Sequence, residues 1–140
     1  MYYNATMVYH AVTTQKLEEI ATEFAATLHG GEVIVLEGDL GAGKTTFTKA
    51  LARALGVREV VTSPTFTFLR SYRGDKLRLH HFDLYRAEDE DSLYELGLAE
   101  YIGNPDSVCV IEWNCFTDLT DPIVIRISGA GDAPREIEFV

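Results

Sequence analysis

The sequence predicts an α/β fold, with a mixed sheet of parallel core strands and antiparallel hairpins that is flanked by helices. Two short apolar runs, EVIVLE at 32–37 and SVCVIEW at 107–113, are typical of strands that are buried on both faces of a sheet. Two other stretches carry apolar residues at helical spacing and would cover such strands. Two pairs of alternating segments separated by turn residues predict antiparallel hairpins. The length of 140 residues suits one domain with a sizeable core.

The N-terminal part predicts a strand, a helix, a buried strand and a second helix. TMVYHAV at 6–12 alternates like a strand, and Thr13 or Thr14 can then cap a helix that the Gly30-Gly31 pair would end. A Gly-rich loop follows the buried strand and leads into a helix ended by Gly56. The apolar faces of the two helices consist of Leu17, Ile20, Ala21, Phe24 and Leu28, and of Phe47, Leu51, Ala54 and Leu55.

The C-terminal part predicts a hairpin, a helical segment, a buried strand and a closing hairpin. FTFLRSY at 66–72 and KLRLHHFDLY at 76–85 flank the turn residues Arg73-Gly74-Asp75. The acidic run from Glu88 to Asp91 precedes the helical segment. Carboxylates at a helix N-terminus complement its dipole, and we favour this interpretation over an acidic docking site. After the strand at 107–113, PIVIRI and REIEFV predict the closing hairpin.

The charge distribution limits the classes of partner. The formal net charge is −10, which argues against a broad grip on nucleic acid, because such binding needs a basic surface that displaces counterions. Four basic residues nevertheless fall within nine positions of the first hairpin. We favour the solvated face of a hairpin over a binding patch for these residues. They are Arg70, Arg73, Lys76 and Arg78.

The sequence carries no sign of a membrane segment or of secretion. No apolar run approaches the roughly 20 residues that span a bilayer, and MYYNATMVYH lacks the basic region and apolar core of a secretory signal. Cys109 and Cys115 have the spacing of neither a disulfide framework nor a metal site, and Cys109 is most simply a small core residue. We therefore expect a cytoplasmic protein.

The loop after the first buried strand is GDLGAGKTT, and its first eight residues match G-x-x-x-x-G-K-[ST] without a mismatch. Glycines let the backbone bend so that several N–H groups point at phosphate oxygens, and the helix that begins near Lys44 adds its positive end. Lys44 can reach the β- and γ-phosphates, the Thr45 hydroxyl can bind Mg²⁺, and Thr46 can donate to the α-phosphate. The candidate nucleotide-binding residues are Gly38, Asp39, Leu40, Gly41, Ala42, Gly43, Lys44, Thr45 and Thr46.

Two carboxylates follow strand-like segments and are candidates for the chemistry, together with Lys44. Glu112 ends an apolar run, which would place it at the carboxyl edge of the sheet as a Mg²⁺ ligand, or as an ordinary exposed residue. Asp83 lies late in an alternating strand, where it could orient or deprotonate a water, support Mg²⁺ indirectly, or only make a strand-end hydrogen bond. Ser63-Pro64-Thr65 could sense the γ-phosphate, with the Thr65 hydroxyl bound to Mg²⁺ or phosphate, or the segment is a plain turn.

Several motifs together resemble one family. GDLGAGKTT at 38–46, SPTF at 63–66, HFDLYR at 81–86 and IEW at 111–113 occur in the order and at the spacings of the TsaE family, formerly YjeE. The likeness extends over nearly the whole chain and includes YELGLAEYI at 94–102. The family consists of small ATPases of bacterial threonylcarbamoyladenosine synthesis. The resemblance therefore implies that residues 1–140 form a single P-loop ATPase domain.

The resemblance also implies ligands, partners and roles. ATP and Mg²⁺ would be bound, and hydrolysis would reset a complex of TsaD and TsaB that transfers a threonylcarbamoyl group to tRNA. Contact with tRNA would be indirect or through the basic hairpin. The Mg²⁺ ligands of the family fall on Thr45 and Glu112, its essential HxD aspartate on Asp83 and its motif tryptophan on Trp113. Its sensor-like segment falls on Ser63 to Thr65.

Some features leave alternatives. No arginine-dense lid supplies positive charge at the transition state, so we expect slow hydrolysis by the chain alone. Arg86 is the best internal candidate for that charge, although it could equally bind a partner. Trp113 is either a core or rim aromatic, or lies at the mouth of the site and couples to the partner. The family usually continues IEW with proline, and Asn114-Cys115 in this chain leaves the shape of that loop open.

Two other functions are consistent with a phosphate-binding loop. A small-molecule kinase would need an acceptor pocket and usually an Arg-rich lid, which the sequence does not show. A nucleotide-dependent binding module would bind ATP without hydrolysing it, and the presence of both Asp83 and Glu112 argues mildly against that function.

Overall fold

The computed structural model describes residues 7–39, 41–64, 66–129 and 133–140. These residues form one seven-stranded sheet with helices packed against it. The strands are β1 (Met7–Val12), β2 (Val33–Glu37), β3 (Leu69–Arg73), β4 (Arg78–Asp83), β5 (Ser107–Glu112), β6 (Ile123–Ser128) and β7 (Arg135–Phe139), and the helices are α1 (Thr14–Ala25), α2 (Lys44–Ala54), α3 (Glu90–Glu95) and a 3-10 helix (Leu98–Tyr101).

The sheet is mixed, as the sequence predicts. Its strand order is β1-β7-β6-β2-β5-β4-β3. The four inner strands β6, β2, β5 and β4 run parallel, and β3, β7 and β1 pair antiparallel with their neighbours. Both predicted hairpins, β3–β4 and β6–β7, are present. Because β2, β4 and β5 are parallel, their carboxyl ends meet at one edge of the sheet, where α/β proteins place their ligands.

Each face of the sheet carries its own core. Helices α1 and α2 cover one face, where Phe24 of α1 lies against Phe47 of α2 with 6.3 Å between ring centroids. Helix α3 and the 3-10 helix cover the other face over β4 and β5, where Leu93 and Leu98 pack on Phe82 and Ile111. The strand β5 is buried along its whole length, as expected for a parallel strand between two layers.

Several helix ends follow the sequence signals. Thr13 caps α1, because its side chain accepts a hydrogen bond from the backbone N–H of Lys16. Gly56, just past α2, has a φ of 89°. Asp89 caps α3 by accepting from the N–H of Ser92, so part of the acidic run stabilises a helix N-terminus as predicted.

Two predicted boundaries are wrong. Helix α1 ends at Ala25, before the Gly30-Gly31 pair, because the N–H groups of Thr27 and Leu28 bond to carbonyls three residues back and close the helix. The first hairpin strand begins at Leu69, since Phe68 donates its N–H to the carbonyl of Pro64 in a turn. Thr6, the predicted start of the first strand, lies outside the described residues.

No helix in the described ranges is long and apolar enough to cross a membrane. Of the cysteines, Cys109 is fully buried, and burial raises the pKa of its thiol to about 12. Cys109 is therefore the core residue that the sequence predicts. Cys115 is partly buried against the same core, and burial also raises its pKa.

Candidate functional site

The glycine-rich loop lies at the carboxyl edge of the sheet, between β2 and α2. Gly43 caps the N-terminus of α2 with a φ of 116°, a conformation that strains any residue with a Cβ. A Cβ on Gly38 would collide with the carbonyl oxygen of Ile127 in β6. The first backbone bond at α2 runs from the N–H of Phe47 to the carbonyl of Gly43, so the N–H groups of residues 44–46 precede the helical ladder. This backbone suits an anion at the helix N-terminus.

Lys44 extends from the first turn of α2 into the site. Its side chain is buried, and its Nζ donates to the carbonyl of Gly38 at 2.6 Å and lies 3.8 Å from the ring centroid of Trp113. Burial lowers the pKa of Lys44, and the negative charges of Glu112, Asp83 and Asp39 oppose that shift. The ammonium therefore lies where one cation faces two buried carboxylates.

Asp83 and Glu112 are side by side at the ends of β4 and β5. They are direct partners in the parallel register of the two strands, and both are buried. The Oδ2 of Asp83 accepts from the hydroxyl of Ser63 at 2.8 Å, and its Oδ1 accepts from the N–H of Tyr85 at 3.0 Å. The Oε2 of Glu112 lies 2.6 Å from the Nε2 of His81. Each carboxylate thus has a fixed orientation.

These groups line one open cleft of about 250 Å³. The structure brings together Gly41, Gly43, Lys44, Thr45, Thr46, Ser63, Asp83, Glu112, Trp113 and Arg135. Ala42 is buried beneath the loop, and Gly38 contributes its carbonyl to Lys44. Asp39 is exposed beside the cleft. Leu40 and Thr65 lie outside the described residues.

Trp113 lies at the mouth of the cleft. Its φ of 55° turns the chain sharply after β5, and its ring meets that of Tyr85 edge-on at 5.0 Å. The structure therefore places Trp113 in the cleft and not in the core. The turn continues into Asn114, whose side chain bonds to both the N–H and the carbonyl of Phe116. This pair of bonds defines the shape of the loop after IEW.

Arg86 is not among the lining residues of the cleft. It is exposed, and its guanidinium lies 5.0 Å from the ring centroid of Phe66, itself exposed at the surface. The structure thus separates the predicted internal arginine from the phosphate loop. The four basic residues of the first hairpin are all exposed, and Arg70 donates to the hydroxyl of Thr62 at 2.8 Å.

The arginine that does line the cleft is Arg135, at the start of β7. Its Nε donates to the carbonyl of Ala42 at 2.8 Å, and another guanidinium nitrogen donates to that of Gly41 at 3.2 Å. These carbonyls belong to the phosphate loop, so Arg135 stabilises the conformation of the loop. No local sequence signal points to Arg135, because the contact joins segments more than 90 positions apart. The sequence reasoning also does not single out His81, although its alternation with Asp83 places both side chains on one face of β4.

The donor set of the cleft fits a Mg²⁺–nucleotide. Among the described residues, no group of three or more His, Cys, Asp or Glu side chains could hold a metal alone. Mg²⁺ is usually bound through one or two carboxylates together with substrate phosphates and waters. Glu112 and the Thr45 hydroxyl beside a phosphate-binding backbone match that requirement.

Comparisons with known proteins give one consistent result. A family model described as "Threonylcarbamoyl adenosine biosynthesis protein TsaE" matches residues 11–137. The protein of Bacillus subtilis named tRNA threonylcarbamoyladenosine biosynthesis protein TsaE is 44% identical over 134 residues, which cover 94% of this chain and 83% of the relative. A protein of the same name from Aquifex aeolicus is 48% identical over 123 residues, 86% of each chain. A crystal structure of Bacillus subtilis YdiB superposes with a TM-score of 0.79 at 38% identity, covering 96% of this chain and 84% of that one.

Proposed function

Because the chain belongs to the TsaE family of tRNA threonylcarbamoyladenosine biosynthesis proteins, we propose that it binds ATP with Mg²⁺ and hydrolyses it to ADP and phosphate. The observation that carries this proposal is the convergence of Lys44, Asp83 and Glu112 on one cleft beside the phosphate loop. A loop alone would support nucleotide binding only. A cation and two oriented carboxylates at the same place also support phosphoryl transfer to water.

The loop backbone and Lys44 form the phosphate-binding part. The N–H groups at the start of α2 and the positive end of its dipole favour the phosphate oxygens. The Nζ of Lys44 is within the cleft and would exchange its bond to the Gly38 carbonyl for one to a phosphate oxygen. Thr46 also lines the cleft and would donate to the nucleotide.

Glu112 and Thr45 would hold Mg²⁺, which when bound neutralises the charge that develops on the phosphates. Glu112 presents a buried carboxylate from the end of β5, and Thr45 presents its hydroxyl from the first turn of α2.

Asp83 would orient the attacking water and accept its proton. Its two oxygens are fixed by Ser63 and by the N–H of Tyr85, which holds the carboxylate in one rotamer. Each carboxylate oxygen has a second lone-pair site, so a water can still bond to it. Ser63 belongs to the sensor-like segment and thereby ties that segment to the same carboxylate.

Hydrolysis by the chain alone would be slow, and the partner complex of TsaD and TsaB would accelerate it. Arg135 is engaged with loop carbonyls, and Arg86 stacks on Phe66 outside the cleft. A positive charge that stabilises the transition state raises the rate of phosphoryl transfer by about 10³–10⁵ where it is present. The role in threonylcarbamoyladenosine synthesis would then be a change of state in the partner complex, with tRNA reached indirectly or through the exposed basic hairpin.

Substitution of Asp83 tests the proposal. Asp83→Ala and the nearly isosteric Asp83→Asn should lower single-turnover hydrolysis on the order of 10²-fold or more, because the water loses its base. The affinity for ADP, measured by calorimetry, should change little. Equal losses of binding and hydrolysis would show that Asp83 does not act on water.

The same preparations separate the other functions. If the unaltered chain binds ATP but releases no phosphate even with TsaD and TsaB, the ATPase proposal is wrong and the chain is a binding module. A phosphorylated small molecule among the products would identify a kinase instead.

A further inference from the structure

His81 is a buried histidine with no role in the proposed chemistry so far. It lies on β4 two residues before Asp83, with no exposed side-chain surface. Its register partner is Val110, so it is a diagonal neighbour of Glu112 on the same face of the sheet. Its Nε2 is 2.6 Å from the Oε2 of Glu112, and its Nδ1 has no hydrogen-bond partner among the described residues.

The unpartnered Nδ1 determines the direction of the hydrogen bond. A hydrogen on Nδ1 would be a buried donor without an acceptor, which costs about 1–3 kcal/mol. In that tautomer Nε2 carries no hydrogen, so its lone pair would face the carboxylate oxygen of Glu112. With the hydrogen on Nε2, the ring donates to Glu112, and only a lone pair remains unsatisfied on Nδ1. The hydrogen that fits the site therefore lies on Nε2, which donates it to Oε2 of Glu112.

Glu112 lines the cleft, and its other carboxylate oxygen is Oε1. Within the described part of the chain, Oε1 accepts no hydrogen bond, and the Nζ of Lys44 is the nearby cation. A carboxylate held at one oxygen presents the other in a defined direction. A hydrogen-bonded partner behind a ligating carboxylate is a common way to orient a metal ligand.

We propose that His81 is a positioning residue for the Mg²⁺ site, which holds Oε2 of Glu112 through its Nε2–H and so directs Oε1 at the metal. This inference rests on the proposed binding of Mg²⁺–nucleotide in the cleft. It assigns His81 no contact with the nucleotide and no part in proton transfer. Removal of such a partner from behind a metal ligand lowers metal affinity by about 10–100-fold.

Two amide substitutions separate positioning from packing. In His81→Gln the amide nitrogen reaches about as far as Nε2 and can donate to Glu112, whereas in His81→Asn it reaches only about as far as Nδ1. Both variants keep a polar side chain of moderate size. His81→Leu removes the donor and serves as the limiting case.

The readout is metal binding and not turnover. Mn²⁺ binding is measured by electron paramagnetic resonance in the presence of ADP, and the Mg²⁺ concentration that half-maximally tightens ADP binding is measured by calorimetry. We expect His81→Asn and His81→Leu to weaken the apparent metal affinity about 10–100-fold and His81→Gln to stay within about threefold of the unaltered chain. Affinity for ADP without metal should be unchanged. In the Glu112→Gln background, His81→Asn should have little further effect.

Three results would overturn the inference. The first is equal metal affinity in the Gln, Asn and unaltered chains. The second is a loss in His81→Asn that persists undiminished in the Glu112→Gln background. The third is a loss of ADP affinity without metal that matches the loss with metal, since that pattern indicates general distortion. Phosphate release by the unaltered chain is measured in parallel, so that metal binding without hydrolysis would refute the ATPase proposal and leave the role of His81 standing.

Discussion

Removal of Arg135 should weaken nucleotide binding, because its guanidinium bonds to two carbonyls of the phosphate loop. Arg135 donates to the carbonyls of Gly41 and Ala42 at 3.2 and 2.8 Å. A hydrogen bond with a charged partner contributes about 1.5–3 kcal/mol when buried. Arg135 is only partly buried, so solvent screening reduces this to about 1 kcal/mol of loop ordering.

Without Arg135 the free loop is less ordered, and part of the free energy of nucleotide binding then goes into ordering it. The loss of about 1 kcal/mol corresponds to a roughly fivefold weaker ADP affinity for Arg135→Ala. Arg135→Lys should show most of the same loss of ADP affinity, because an ammonium does not present the planar fork that reaches two carbonyls. The assay is calorimetric ADP titration at fixed salt and saturating Mg²⁺.

Arg126→Ala is the matched control. Arg126 lies on the neighbouring strand β6 and pairs with the exposed Glu37 and with Glu138, so its removal costs the same single charge but breaks no hydrogen bond to a carbonyl of the loop. Its ADP affinity should stay within about twofold, as expected for an exposed ion pair. An equal loss in Arg126→Ala and Arg135→Ala would refute the bracing of the loop, because it would indicate a general effect of charge. An unchanged affinity in Arg135→Ala would refute it too.

Three further results are expected. Trp113 fluorescence should change on addition of ADP, because Lys44 must leave its ring to reach phosphate; a flat titration would place the tryptophan outside the site. His80 is buried, and burial lowers its pKa, so its native state prefers the neutral ring. Its contribution to stability should be lost as pH falls below about 6.5, and His80→Gln should flatten the decline in chemically measured unfolding free energy between pH 7 and 5. If the unfolding free energy of His80→Gln falls as steeply between pH 7 and 5 as that of the unaltered chain, His80 is not the cause of the decline. A thiol reagent should modify Cys115 before Cys109 at pH 8, and early modification of Cys109 would contradict its full burial.

The elements of the fold with local signals could be predicted from the sequence. The loop at 38–46, the capping residue Thr13 and the buried strand β5 each depend on residues close together in the chain. The end of α1 could not be located by its glycines, because the helix closes through backbone bonds five residues before Gly30. The glycines indicate a position by which the helix must have ended. They do not indicate the residue at which its last turn tightens.

The site could be predicted only in part, for a similar reason. The sequence predicts Asp83 and Glu112 at strand ends, but their position side by side depends on β4 and β5 being neighbours, which is a property of the strand order. Arg86, three residues after the HxD motif, lies against Phe66 and does not line the cleft. Arg135 reaches the loop from the closing hairpin, and no pattern within 135–139 indicates it. A local motif therefore does not identify the residues that long-range strand pairing places in the site.

The rate of ATP hydrolysis with and without the TsaD–TsaB complex and tRNA tests the central claim most directly. We predict slow phosphate release by the chain alone and an increase of about 10³-fold or more when the complex is added, because a partner would supply positive charge at the transition state. The Asp83→Ala chain should show no such increase. Rapid turnover by the isolated chain that the complex leaves unchanged would contradict the account, as would the absence of hydrolysis under every condition.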